Sequence, residues 1–278
     1  MTTQADKARA FRALHEASGP FIIPNPWDVG SARLLEALGF KALATTSAGY
    51  AFTLGLPDNA VGRAQMIRHL AELAPSTDLP VSADLENGFG DSPEDAAETI
   101  RQAAAAGVVG GSIEDATGRA DDPIYAHDLA VERVRAAVEA ARALPFPFTL
   151  TARAENYLVG RADLADTIRR LQAFQEAGAD VLYAPALKTR EDIAAVVSSV
   201  ERPVNVLMGM AGMPFSVDDL AELGVKRLSV GGALARAALG AMLRAANEML
   251  GQGTFTYTNE AASMKQITDL FAAVRQPR

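Results

Sequence analysis

An alternation of strand-like and helix-like segments, repeated eight times, constrains the fold of this chain most strongly. Eight such units within roughly 250 residues are typical of a (β/α)8 barrel. An open doubly wound sheet is the alternative, and the even spacing of the units favours the closed TIM barrel. The apolar runs that predict strands cover residues 21–25, 42–47, 80–86, 110–115, 148–155, 181–186, 203–208 and 227–232. Helical periodicity marks residues 95–106, 129–144, 164–177, 193–200, 218–223 and 233–250.

Acidic residues end two consecutive predicted strands. The apolar run 80–86 contains Asp84 and Glu86 and is followed by a glycine-containing loop. An extended strand would point these two carboxylates to the same side. The next predicted strand ends in Glu114 and Asp115. Because carboxylate oxygens are the ligands that magnesium prefers, the pattern indicates a hard-cation site. Acids that merely solvate the loop starts are the alternative.

The next predicted strand adds a positive charge to these acids. It ends in Arg153 and Glu155. In a (β/α)8 barrel the active site lies at the carboxyl ends of the strands, where all these side chains would meet. An arginine among acids suits a site that holds a metal and clamps a substrate carboxylate. A structural ring of salt bridges is the alternative.

Five short motifs, in order along the chain, resemble the isocitrate lyase and phosphoenolpyruvate (PEP) mutase superfamily. They are Thr45-Thr-Ser-Ala-Gly49, Leu54-Gly-Leu-Pro-Asp58, Asp84-Leu-Glu-Asn-Gly-Phe-Gly90, Ser112-Ile-Glu-Asp115 and Thr151-Ala-Arg-Ala-Glu155. The resemblance extends from about Asn25 to the C-terminus. It implies a (β/α)8 barrel that binds Mg²⁺ (or Mn²⁺) and breaks or forms C–C or C–P bonds beside a 2-oxo acid. The implied intermediate is an enolate.

The resemblance also implies roles for individual residues. Asp84 would bind the metal directly, and Glu114 matches the outer acid that usually reaches the metal through water. Glu86, often Asp in members, would contact the metal directly or through water. Asp58 would contact metal-bound water or act on the substrate, and Arg153 would contact the substrate and stabilise its developing oxyanion. The loop that would hold the substrate's carboxylate or oxo group contains Thr46, Ser47 and Ala48.

Two departures separate this chain from better-known members. Lyases of the superfamily carry a Lys-Lys-Cys-Gly-His or Lys-Arg-Cys-Gly-His loop after the fourth strand, and this chain has no cysteine. Residues 116–125 occupy that place, with Arg119 and Tyr125 as the polar substitutes. The sixth strand lacks the Glu or His of other members, so Tyr183 and Asn205 are the candidates for lining the cavity on that side. A buried tyrosine or asparagine is as often a satisfied core group.

A metal site without the specialised lyase acid suits cleavage of a C–C bond in a small 2-oxo or 2-hydroxy dicarboxylate. The activity would resemble an oxaloacetate decarboxylase or hydrolase, or an alkylmalate lyase. Cleavage of a C–P bond in phosphonopyruvate or PEP ranks second. Glycines follow the last two strands, within residues 208–212 and at 231–232, so binding of a substrate phosphate there is a further possibility. A non-catalytic relative that binds diacids is the hypothesis from a different class.

Composition limits the partners of this chain. Its formal charge of −8 makes nucleic acid and anionic membranes poor partners. No apolar run is long enough to span a bilayer and no signal pattern opens the chain, so we expect a cytoplasmic enzyme. The three histidines, His15, His69 and His127, fall on predicted outer helices, where surface or capping roles are expected.

The predicted barrel occupies residues 1–250, and a helical extension of the same domain follows at 251–278. Residues 263–274 have amphipathic spacing, with Met264, Ile267, Leu270 and Phe271 on one face. The resemblance implies that terminal helices are exchanged between subunits of a homodimer or homotetramer. Packing against its own barrel is the alternative.

Overall fold

The computed structural model describes residues 2–274 and contains one sheet of eight parallel strands. The strands follow the order β1-β8-β7-β6-β5-β4-β3-β2, which is the order around a (β/α)8 barrel. The predicted fold class is therefore confirmed. The strands are Phe21–Ile23 (β1), Leu43–Ala44 (β2), Val81–Asp84 (β3), Gly110–Glu114 (β4), Thr149–Arg153 (β5), Val181–Tyr183 (β6), Val204–Leu207 (β7) and Arg227–Ser229 (β8).

Eleven α-helices accompany these strands within residues 2–274. They are Gln4–Glu16 (α1), Val29–Ala37 (α2), Ser47–Thr53 (α3), Arg63–Leu73 (α4), Pro93–Ala105 (α5), His127–Arg142 (α6), Leu164–Glu176 (α7), Arg190–Ser198 (α8), Val217–Glu222 (α9), Ala233–Gln252 (α10) and Met264–Ala273 (α11). Short 3₁₀ turns cover Ala74–Ser76 and Thr256–Asn259. Each predicted helix is present, with ends shifted by a few residues.

The barrel closes between β1 and β2 through few contacts. No ladder joins these two strands in the described chain, but the Ala44 N–H donates to the Pro24 carbonyl at 3.1 Å. Asn25 adds a side-chain link, because its Nδ2 donates to the Thr45 carbonyl at 3.0 Å. Its Oδ1 accepts from the N–H groups of Val230 and Gly231 at 2.9 and 3.0 Å. One buried asparagine thus joins the ends of β1, β2 and β8.

Every strand ends earlier than predicted, and for β2 and β3 the difference matters for the site. β2 stops at Ala44 because Thr46 caps α3, its Oγ1 accepting from the Gly49 N–H at 3.2 Å. β3 stops at Asp84, and Glu86 lies in the left-handed region with φ of 49°. The prediction that Asp84 and Glu86 point to the same side of one extended strand is therefore wrong.

Helix α1 covers the amino end of the barrel. Its Ala8 and Phe11 are fully buried and pack against Ile23, Ala42 and Val109. A side chain on Gly110 would bring its Cβ within 2.8 Å of the Phe11 ring, so the helix lies close against the strands. The barrel is therefore plugged at this end and opens at the carboxyl ends of its strands.

His69 is buried and His15 is partly buried, which corrects the prediction of surface or capping roles for them. His69 is buried, and its ring stacks on Tyr50 with 3.8 Å between centroids. His15 packs edge-on against Phe11 at 4.8 Å. Burial lowers the pKa of His15 to about 3 and that of His69 to about 4, so both are neutral at pH 7. His127 is the partly buried first residue of α6.

The C-terminal helix α11 packs against α2 of the same chain. The guanidinium carbon of Arg33 lies 5.8 Å from the centre of the Phe271 ring. Exchange of this helix between subunits stays a prediction, and so does the start of the C-terminal extension at residue 251. Residues 275–278, the last four of the predicted extension, lie outside the described range. In the part of the chain that the structure describes, no helix combines the length and apolarity needed to cross a bilayer.

Candidate active site

A cavity of about 180 Å³ opens at the carboxyl ends of the strands. Its wall combines the ends of all eight strands with the loops after β2 and β5. Of the predicted site residues, nine line it: Thr46, Ser47, Ala48, Asp58, Asp84, Glu114, Arg153, Tyr183 and Asn205. The tenth, Glu86, lies behind this wall, although its charge interacts with Asp84 and Asp58.

Arg153 lies at the centre of the acidic side of the cavity, which is formed by the ends of β3, β4 and β5. Its Nη1 donates to Asp84 at 2.9 Å, its Nη2 contacts Glu114 at 3.0 Å and its Nε donates to Glu155 at 2.8 Å. All three guanidinium nitrogens are thereby engaged with carboxylates. In this arrangement Arg153 aligns the acids of β3, β4 and β5, and the predicted clamp on a substrate carboxylate would need a rearrangement of these pairs.

Ser47 joins the substrate loop to the acids. Its N–H and its hydroxyl both contact Asp84 Oδ2, at 3.0 and 2.9 Å, and the hydroxyl lies 3.1 Å from Asp58 Oδ1. A hydroxyl has one hydrogen and cannot donate fully to two carboxylates. Burial and the charge of Asp84 raise the pKa of Asp58. Ser47, Asp58 and Asp84 form one hydrogen-bonded group.

The Glu86 carboxyl group has a strongly raised pKa. Burial, followed by the charges of Asp84 and Asp58, raises its pKa from 4.5 to about 8. Its Oε1 is buried and has no hydrogen-bond partner in the described structure. Burial also raises the pKa of Glu114 well above its usual range, despite the attraction of Arg153. The acids thus outnumber the positive charges available to them.

The loop that follows β3 has an unusual backbone held by two arginines. Glu86, Gly88 and Phe89 all have positive φ, which is rare for residues with side chains. Arg133 donates to the carbonyls of Asn87, Gly90 and Ser92, and Arg63 donates to those of Gly88, Phe89 and Asp95. These buried contacts fix the carbonyls in space. The backbone conformation that places Glu86 is therefore built into the fold.

The side of the cavity formed by β6, β7 and β8 is polar but carries no acid. Asn205 donates through Nδ2 to Ser229 at 2.9 Å and accepts from Arg227 Nε at 2.9 Å. Tyr183 lies within hydrogen-bonding reach of Ser229, and burial raises the pKa of Tyr183 to about 12. Its ring faces Arg153, with 5.2 Å between the guanidinium carbon and the ring centroid. Tyr183 is therefore a neutral phenol next to the charged side.

The loop 116–125, where other members carry their acid–base motif, is tied to the outside of the site. Both Arg119 and the Tyr125 hydroxyl bind Asp91, at 3.0 and 2.6 Å. Arg133 packs on the Tyr125 ring at 4.4 Å. Neither Arg119 nor Tyr125 lines the cavity. For Arg119 and Tyr125, a role in packing the loop fits the geometry better than a catalytic role.

The backbone after β8 is poorly suited to the phosphate site that the glycines suggested. A phosphate at the start of α10 would need the backbone N–H groups that follow β8. Those of Val230 and Gly231 already donate to Asn25. The glycines here serve the closure of the barrel.

The donors of the acidic side fit a hard divalent cation. Every candidate ligand is a carboxylate, and the chain has no cysteine. Burial, with the charges of neighbouring acids, raises the pKa of Asp58, Glu86 and Glu114, and a bound cation would favour their ionised forms. Within residues 2–274, however, no three acids or histidines converge on one point as a cage. Mg²⁺ tolerates such sites, because it keeps several waters and often uses one or two carboxylates.

Two charged residues of this site had no predicted role. Glu155 was noted at a strand end but received no role, although it is buried against Arg153. Arg227 was missed entirely; an arginine that opens an apolar strand was the available signal.

Comparison with known proteins places this site in a family. The profile of the phosphoenolpyruvate phosphomutase family matches residues 11–250. A crystal structure from Burkholderia cenocepacia J2315, provisionally described as a lyase or mutase, superposes with a TM-score of 0.95 at 66% identity over 97% of each chain. The 2-methylisocitrate lyase of Escherichia coli (strain K12) is 31% identical over 76% of this chain and 74% of its own length.

A further curated relative, the oxaloacetate decarboxylase of Paraburkholderia xenovorans (strain LB400), is 32% identical over 73% of this chain and 67% of its own length. These matches agree with the barrel and with the motifs from which the resemblance was drawn. The chain therefore belongs to the phosphoenolpyruvate phosphomutase family, within the isocitrate lyase and PEP mutase superfamily of enzymes.

Proposed function

We propose that this enzyme uses a divalent metal, Mg²⁺ or Mn²⁺, to cleave a C–C bond of a small 2-oxo or 2-hydroxy dicarboxylate through an enolate. The excess of buried carboxylates around a single arginine, Arg153, carries the proposal. The metal would be held by Asp84 with Glu86, Glu114 and Asp58, directly or through water. The relatives named 2-methylisocitrate lyase and oxaloacetate decarboxylase support this type of reaction.

The bound cation would supply Lewis-acid stabilisation of the negative charge that develops on the substrate oxygen. The first turn of α3 leaves the Ala48 N–H without an intrahelical acceptor, so it can donate to a substrate carboxylate or oxo group. Arg153 adds positive charge to the same side of the cavity. Together these groups would stabilise an enolate more than the substrate from which it forms.

Proton transfer distinguishes the two possible substrates. In a 2-oxo diacid, carbon dioxide departs without a proton, and the enolate carbon is protonated afterwards. In a 2-hydroxy diacid, a base must take the hydroxyl proton as the C–C bond breaks and the new carbonyl forms. Asp58, in its ionised form beside Ser47, is placed for that role. Oxaloacetate-type and alkylmalate-type substrates therefore use the same cavity.

Thermal unfolding with oxalate, a planar mimic of enolpyruvate, tests the metal–enolate site. A ligand at about 100 times its Kd stabilises a fold by roughly 2.7 kcal/mol. We expect oxalate and Mg²⁺ together to raise the Tm far more than the sum of their separate effects. Asp84→Asn should abolish the joint effect. No joint effect with either Mg²⁺ or Mn²⁺ would contradict the proposal.

Cleavage of a C–P bond is the second candidate, favoured by the family profile itself. It would use the same acids and Arg153, with an activated water near Asp58 in the hydrolytic version. Assay of phosphonopyruvate beside a panel of 2-oxo and 2-hydroxy diacids separates the two. Turnover of phosphonopyruvate alone would replace C–C cleavage with this alternative.

A further inference from the structure

Two arginines line the cavity, and their surroundings are opposite. Arg153 contacts three carboxylates at 2.8 to 3.0 Å. Arg227, at the start of β8, forms no ion pair with any Asp or Glu of residues 2–274. It is the one lining cation, among the described residues, whose charge no acid balances.

The contacts of Arg227 are all with neutral groups. Its Nε donates to Asn205 Oδ1 and its Nη2 donates to Thr151 Oγ1, both at 2.9 Å. Its Nη1 lies 3.4 Å from Nε2 of His15. The other ring nitrogen of His15 lies 2.9 Å from the Phe11 carbonyl and donates to it, so Nε2 is free to accept. This set of neighbours fixes the guanidinium in place and leaves its charge uncompensated.

Burial makes that charge costly. Arg227 is 5% exposed, and desolvation lowers its pKa to about 10, so it remains cationic at pH 7. A buried charge without a counter-ion is unfavourable unless something else stabilises it. Because Arg227 lines the cavity from the floor, an anionic group of a bound molecule is the counter-ion that can reach it.

We infer that Arg227 is a specificity-determining residue that recognises the distal carboxylate of a dicarboxylate substrate. The inference rests on the proposed function, in which the 2-oxo or 2-hydroxy end of the substrate lies beside Asp84 and Ser47. The distal carboxylate then lies toward β7 and β8, where no acid repels it. The cavity, of about 180 Å³, has room for a diacid of four or five carbons.

The test compares diacids with monoacids of the same length. Oxaloacetate is paired with 2-oxobutyrate, and 2-oxoglutarate with 2-oxopentanoate, each titrated by calorimetry with Mg²⁺ present. Wild type should bind the better diacid at least about tenfold more tightly than its partner, a difference of about 1.4 kcal/mol. Asn205→Asp places a carboxylate beside Arg227 without changing the shape of the side chain. It should reduce the preference to less than about threefold.

Further variants guard against a merely structural effect. Arg227→Gln removes the charge and should also abolish the preference, whereas Arg227→Lys keeps the charge and should retain most of it. The ratio of affinities is the readout, because an added negative charge that repels all acids lowers both members of a pair. Folding of each variant is checked by its melting curve.

The outcomes separate this inference from the proposed function. Preference retained in folded Asn205→Asp or Arg227→Gln, or no preference in wild type, overturns the role of Arg227. Failure of oxalate and Mg²⁺ to act together, with the diacid preference intact and sensitive to Asn205→Asp, would instead overturn the metal–enolate site and leave Arg227 as a carboxylate receptor.

Discussion

The two halves of the cavity wall use arginine in different ways. On the β3–β5 side, Arg153 is surrounded by acids and each of its nitrogens meets a carboxylate. On the β6–β8 side, Arg227 is surrounded by amide, hydroxyl and imidazole groups. The first arginine organises negative charge, and the second leaves a positive charge without a partner. Such a cavity suits a ligand with one end on a metal ion held by the β3–β5 acids and a carboxylate at the other end beside Arg227.

The largest difference between the halves should appear when each arginine is removed. Arg153→Met leaves three buried carboxylates without their partner, which should cost about 3–5 kcal/mol of unfolding free energy. Arg227→Met removes hydrogen bonds to neutral groups and should cost about 1–3 kcal/mol. Urea unfolding of both variants at pH 7 measures this. Equal destabilisation would show that the two halves do not differ in the way described.

Loss of one acid from the charged half should affect catalysis more than folding. Asp84→Asn keeps the size of the side chain but removes a candidate metal ligand and one of the two oxygens that accept from Ser47 and Arg153. We expect at least a 100-fold loss of kcat, about 2.7 kcal/mol in the barrier, on whichever diacid the wild type consumes. Asp91→Asn, outside the cavity, is the matched control and should stay within about threefold. Similar losses in both variants would argue against a special role for Asp84.

The charged half should also respond to pH. With its pKa raised from 4.5 to about 8, Glu86 holds a proton in the folded protein that the unfolded chain releases above pH 4.5. Its contribution to stability is therefore present at low pH and lost as pH rises from about 4.5 to 8. Mg²⁺, which requires the ionised acids, should stabilise more at pH 8 than at pH 5.5.

Glu86→Gln provides the comparison for this pH effect. The amide cannot ionise, so the melting temperature of the variant should fall less than that of wild type between pH 5.5 and 8. Other perturbed acids remain in both proteins, and the difference between the two curves isolates Glu86. Parallel curves would mean that Glu86 is ionised in the folded state throughout this range.

The smallest effect is expected outside both halves, in the loop 116–125. Arg119 is largely exposed and pairs with Asp91 at the surface. Arg119→Ala should leave the urea midpoint nearly unchanged and alter kcat/KM by less than about threefold. Steady-state kinetics and urea unfolding check both. A large loss of kcat would restore Arg119 as a substitute for the missing acid–base residue.

The sequence was sufficient for the barrel and for most of the cavity wall. Periodic apolar runs identify strands regardless of distant contacts, and side chains at strand ends meet once the fold is a barrel. Local boundaries were less accurate. The capping role of Thr46 ended β2 early, and the left-handed Glu86 ended β3 at Asp84. Both are choices of the backbone that an apolar pattern does not encode.

The side chains that contact each arginine were the least predictable feature of the site. The spacing of Asp84, Glu114 and Arg153 placed them at one rim, but not in direct contact. Whether an arginine meets acids or neutral groups depends on the strands on either side of it in the sheet. Arg153 lies between strands that end in acid and tyrosine, and Arg227 lies beside Asn205. These pairings become visible only when the register is known.

The closure between β1 and β2 has a consequence for the mechanics of the barrel. Seven neighbouring strand pairs are joined by ladders, whereas this seam depends on the Ala44 N–H and the side chain of Asn25. The wall therefore has its fewest hydrogen bonds at this seam, and opening fluctuations should begin there, whereas Thr45 and Ser47 remain bonded to β3. A substrate bound by residues 45–48 would then lie beside the most flexible seam of the barrel. The hydrogen bonds of the Asn25 side chain keep this seam closed.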